Sequence, residues 1–145
     1  MRLPIATVLA LLLAGCGSPR ELAVERAWIR LPAAAGRPAV AYATIRGGAD
    51  KATLVAVTSP AAIRTELHES MTGAHNMATM APLAQIDVPA GATVTLAPGG
   101  KHVMLFDVSP TLRAGESARL SLQFAEGRTL TADAQVLGAG DPPPK

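Results

Sequence analysis

The chain has 145 residues, 49% of them hydrophobic and 3% aromatic, with a formal net charge of +2 at pH 7. Its arginines are scattered from Arg20 to Arg128 with no basic block, which argues against a nucleic-acid partner and against an aromatic platform for stacking bases. A single cysteine leaves no disulfide framework, and a chain of this length makes one domain whose core can hold without one.

The first stretch, "MRLPIATVLALLLAGCGS", puts one Arg before an apolar run of about a dozen residues, too short for a stable bilayer span. It reads as a secretory signal peptide over residues 1–15. Its end, Leu13-Ala14-Gly15-Cys16, resembles the lipobox of bacterial lipoproteins, which implies acylation of Cys16 and tethering of a soluble domain to a membrane in the cell envelope. The alternative is an ordinary cleaved signal with a free Cys16 nearby. Gly17 lacks the acidic residue associated with inner-membrane retention, which leaves the choice of membrane open.

Residues 16–21 read as anchor and linker, and 22–138 as the folded domain. "LAVERAWIRL" alternates, "AVAYATIR" follows a Pro-containing loop, and "GGAD" turns into "KATLVAVTS". "IRTELHES" sets Ile63, Thr65 and Leu67 on one face and Arg64, Glu66 and His68 on the other. "MTGAHNMATM" has turn chemistry and no long period. "AQIDV", "TVTL" and "HVMLFDV" are strands separated by "PAG" and "APGG", and "SARLSLQFA" with "TLTADAQVL" forms a closing hairpin. Short strands at this spacing predict an all-β sandwich or barrel. The tail "GAGDPPPK", residues 139–145 above all, reads as disordered.

Chemistry concentrates in one window. All three histidines lie between His68 and His102, and every methionine except Met1 lies between Met71 and Met104. At random that window, roughly a quarter of the mature chain, would hold about two of the seven. Methionine used as core filler would be spread over all the strands. Thioether and imidazole together suit Cu(I), whereas hard cations want oxygens and structural zinc wants thiolates. His102 and Met104 share one strand face and could chelate one ion together. A blue-copper electron-transfer site needs a cysteine thiolate, and the only cysteine lies in the lipobox.

His68, eleven intervening residues, Met80, twenty-one intervening residues and then His102-Val103-Met104 resembles the PCu(A)C family of periplasmic copper chaperones. "ELHESM", "VPAGATVTLAPGGKHVML", "AWIRLP" and "AYATI" carry the likeness over essentially the whole mature chain. The resemblance implies a cupredoxin-like Greek-key β-barrel or sandwich and one Cu(I) bound by His68, Met80, His102 and Met104. It also implies delivery for assembly of the CuA centre of cytochrome c oxidase, to the CuA domain itself or to a Sco-like thiol protein. The chain departs from the family at Glu69, where a methionine is often found, and offers Met71, His75 and Met77 as alternative or second-copper ligands.

Trp28 and Tyr42 read as core or near-core packing, Phe106 and Val108 as core, and Glu66 and Glu69 as strand-edge solvation. No nucleophile–base pair or Gly-rich phosphate cradle is apparent, so the chain reads as a monomeric carrier rather than an enzyme. Two other readings stand beside delivery. One is an envelope copper-buffering protein without a dedicated acceptor; the other is a β-sandwich interaction module in which the His/Met cluster is incidental.

Overall fold

The computed structural model describes residues 18–145; the signal peptide and Cys16 lie outside them. Ten strands follow in order: β1 (Ala23–Arg30), β2 (Ala39–Arg46), β3 (Ala52–Thr58), β4 (Ala62–Thr72), β5 (Ala78–Pro82), β6 (Ile86–Val88), β7 (Thr93–Leu96), β8 (Lys101–Val108), β9 (Ser117–Phe124) and β10 (Thr129–Leu137). One 3-10 turn, Ala74–Asn76, joins β4 to β5. Among the described residues no helix is long and apolar enough to cross a membrane.

The strands form one sheet in the order β5-β4-β8-β2-β1-β10-β9-β3-β6, with β7 paired to β2 beside β8. The order is non-sequential, as expected of Greek-key topology, and the sheet stays open. All pairings are antiparallel except β1 with β10. Side chains from one face meet in a main core that includes Ile29, Ile45, Leu54, Leu105, Leu120 and Val136. Burying such a side chain contributes about 1.5–3 kcal/mol, so this face dictates the register.

Two left-handed residues shift the phase of the alternation. In β1 the pairing with β2 slips between Glu25 and Trp28, and Arg26 sits at φ 51°. Val24 therefore packs on the core before this bulge, and Ala27, Ile29 and Leu31 pack on it afterwards. In β8, Asp107 has φ 52°. Val103 and Leu105 are buried in the core ahead of it, and Val108 packs against the same core behind it. Simple alternation puts Phe106 and Val108 on one face and in the core together; the reversal at Asp107 separates them. Phe106 lies instead under the Arg64 guanidinium, which stacks 3.8 Å from its ring centroid.

Trp28 and Tyr42 are buried, but not in the main core. They form a second, smaller cluster with Leu137, backed by Val40. Their rings stand 4.3 Å apart across the β1–β2 pairing. The stretch from Met71 to Met80, expected as a loop, is mostly hairpin: β4 continues through Thr72, and His75 and Asn76, at φ 60° and 62°, make the tight reversal into β5. At the C-terminus, Asp141 closes a turn by accepting from the Gly138 amide, and its carbonyl accepts from the Arg30 guanidinium.

Candidate metal centre

Three adjacent strands build the site. The β4–β8 register sets His68 directly opposite His102 and Glu66 opposite Met104, and the β4–β5 register sets Ser70 opposite Met80. Opposed residues in a sheet share a face, as do alternate residues along a strand. His68, His102 and Met104 therefore project on one side, and Met80 joins them as the diagonal neighbour of His68. The intervening Leu67, Val103 and Leu105 are buried in the main core on the other side. His102 is 3% exposed and Met80 60% exposed, so the site has a buried floor and an open rim.

Each histidine has one ring nitrogen held and the other free. His102 Nδ1–H donates to the Gly100 carbonyl at 2.9 Å, and His68 Nε2–H donates to Glu66 Oε2 at 2.9 Å. Both acceptors are oxygens without a proton to give, so the tautomers follow. In the neutral rings His102 Nε2 and His68 Nδ1 are then bare lone pairs, both buried and neither with a hydrogen-bond partner. Leaving a buried polar atom unpaired costs about 1–3 kcal/mol. Two on facing residues is the pattern expected where a metal completes the coordination.

The ring geometry fits that reading. A metal–nitrogen bond of about 2.0 Å places an ion about 3 Å from an imidazole centroid, so two rings on one ion lie within about 6 Å of each other. The His68 and His102 centroids are 6.0 Å apart. Among the described residues no three His, Cys, Asp or Glu side chains are grouped to hold a metal. The Glu66 carboxylate on this face is engaged by His68 Nε2 and Arg64, so the further donors are the Met80 and Met104 thioethers, which are soft and uncharged.

Several supporting residues escape a reading by strand pattern. Glu66 does not merely solvate an edge: it orients His68 and is itself paired with Arg64. Its signal was present, since Glu66 and His68 are two apart and share a face. Glu69 projects to the other side, where it accepts from Lys101 at 3.0 Å. Gly100 could not have been found from sequence, because its role lies in its carbonyl, which also accepts from the Ser70 amide at 3.0 Å. Tyr42 stands 6.4 Å from His102, extending a cross-strand row of rings from Trp28 to His68. Burial raises the Tyr42 phenol above its ordinary pKa, and the Arg30 charge partly offsets this. Met71, His75 and Met77 stand apart from the four: Met71 and Met77 fall on the reverse face of the hairpin, and His75 at its tip.

The fold recurs in known proteins. Residues 22–136 match the family described as "Putative lipoprotein LpqE-like". The chain belongs to the LpqE-like family, and its fold is that of PCuAC domains. This LpqE-like chain is 36% identical over 109 residues to "Putative lipoprotein Lxx21020" of Leifsonia xyli subsp. xyli. That match takes in 73% of this chain and 63% of the relative, so the chain spans less than two thirds of the relative's length. The copper-bound PCuAC domain from PmoF2 superposes with a TM-score of 0.67 at 26% identity, covering 83% of this chain and 97% of that one. The solution structure of the Cu(I) form of DR1885 from Deinococcus radiodurans gives 0.64 at 28% identity, covering 83% and 81%. The LpqE-like fold is therefore cupredoxin-like and all-β.

Proposed function

We propose that this protein is a lipid-anchored Cu(I) chaperone of the cell envelope, tethered through Cys16. It holds one Cu(I) with His68 Nδ1, His102 Nε2 and the thioethers of Met80 and Met104. The observation that carries this reading is the pair of buried, unpartnered imidazole nitrogens on the same sheet face as two methionines. Copper in the PmoF2 domain and Cu(I) in DR1885 support the choice of ion.

The donor set also suggests direction of transfer. Four neutral ligands compensate none of the ion's charge, so a thiolate acceptor binds Cu(I) more strongly. The exposed Met80 at the rim is the ligand an acceptor reaches first. Delivery to a CuA domain or a Sco-like thiol protein follows from this. Mixing the Cu(I)-loaded protein anaerobically with such an apo acceptor should move the metal within the mixing experiment. Copper that stays with the donor despite a stronger acceptor would refute delivery and favour storage.

Glu66 supplies a second check. Glu66→Gln keeps the size of the side chain but removes the charge that orients His68. Loss of such a supporting partner typically lowers metal affinity about 10–100-fold. Competition against a chromophoric Cu(I) chelator should read that drop, with circular dichroism unchanged. Equal affinity for the variant and parent would remove Glu66 from the account.

A further inference from the structure

The β4–β5 hairpin carries soft donors that the four-residue site leaves unused. Gly73 N–H donates to the Met77 carbonyl at 2.7 Å, and Met71 lies opposite Thr79. Residues 71, 73, 77 and 79 therefore share one face, the reverse of the one bearing His68 and Met80. A Cβ built on Gly73 would come within 3.8 Å of the Thr79 methyl, in keeping with this placement. Met71 and Met77 are diagonal neighbours, and such pairs stand roughly 7–8 Å apart, with their Cβ atoms somewhat closer. Long, unbranched methionines can close that gap around one ion. Between them Gly73 presents no side chain, and His75 sits at the turn in a left-handed conformation.

Composition and exposure point the same way. Every histidine and methionine of the described residues lies either in the four-residue site or on this hairpin. Met71 and Met77 are 50% and 65% exposed, and neither belongs to a core cluster. From Met71 to Gln85 there is no Asp, Glu, Lys or Arg, so no carboxylate competes for the ion and no ammonium repels it.

We infer that the reverse face of this hairpin is a second Cu(I) subsite, formed by the Met71 and Met77 thioethers with His75 at its edge. It rests on the Cu(I) reading above and extends it. With fewer donors and greater exposure it binds more weakly than the buried centre, and it lies three residues from Met80. It thus serves as an exposed capture point on the strand that forms the rim of the main site.

Methionine methyl resonances test this directly, because each thioether reports its own ligation. The intact chain, labelled at the methionine ε-carbon, is titrated anaerobically with Cu(I). The first equivalent should shift Met80 and Met104, and the second Met71 and Met77. In the M71L/M77L variant, which conserves volume on an exposed surface, the second equivalent should bind at least about 10-fold more weakly while the first is unchanged. Silence of Met71 and Met77 through two equivalents, or undiminished second binding in the variant, overturns the subsite. Silence of Met80 and Met104 overturns the four-ligand reading instead, so the two failures are distinguishable.

Discussion

Replacing His102 and Met104 together by leucine is expected to abolish Cu(I) binding and leave a folded domain. The binding loss follows from removing two of four donors, including one of the two buried imidazole nitrogens. It should exceed the roughly 100-fold upper range of losses caused by supporting residues alone. Survival of the fold follows from local geometry. His102 is 3% exposed, and its Nε2 has no partner in the metal-free protein. Leucine removes that unsatisfied atom, which costs about 1–3 kcal/mol where it stands. The Gly100 carbonyl loses the imidazole donor but keeps the Ser70 amide. Met104→Leu is close to volume-conserving and costs less than about 1.5 kcal/mol. The metal-free variant should therefore melt at or above the parent temperature while failing to compete with a Cu(I) chelator. A variant that binds as tightly as the parent would refute the ligand assignment. One that unfolds would show His102 to be structural.

Loading the native protein with Cu(I) should raise its thermal stability by an amount set by mass action. Free ion at about 100 times the dissociation constant stabilises by about 2.7 kcal/mol, and at about 1,000 times by about 4.1 kcal/mol. For a domain of this size the lower figure corresponds to a rise of about 10 °C in melting temperature. The mechanism is specific to the topology: one ion would tie β4, β5 and β8 together, and β5 is an edge strand held only by β4. Anaerobic calorimetry with and without Cu(I) measures the shift, and the His102/Met104 variant should lack it. Zn(II) should produce little change, since among the described residues no three His, Cys, Asp or Glu side chains are arranged to hold a metal, and the Glu66 carboxylate is engaged by His68 Nε2 and Arg64. An unshifted transition with saturating Cu(I) would mean that the His/Met cluster is incidental to an interaction module.

Most of the strand layout was legible because period-2 alternation and turn residues are local signals. "HVMLFDV", "SARLSLQF" and "TLTADAQVL" appear as β8, β9 and β10 nearly where the pattern puts them. The alternation misled where a single backbone angle reversed it. At Asp107 a left-handed φ moved Val108 toward the core and left Phe106 beneath Arg64. Nothing in the residue type announces such a reversal, since Asp adopts either conformation. The hairpin of β4 and β5 was missed for a related reason. His75 and Asn76 supply its turn at positive φ, whereas glycine is the usual sign of one.

Residue chemistry alone decided what kind of ion the chain suits. Imidazole and thioether confined to one window, with the sole cysteine near the N-terminus, exclude most metal chemistries before any strand is paired. Alternation within β8 likewise put His102 and Met104 side by side. Only the tertiary structure determined that His68 faces His102, that Met80 stands on the same side, and which ring nitrogens are left bare. It also revealed Glu66 and the Gly100 carbonyl as the groups that aim those rings. The physical reason is that donor identity is a property of each residue, whereas convergence depends on the register between strands far apart in the chain. That register is set by burial of Leu67, Val103 and Leu105 on the opposite face.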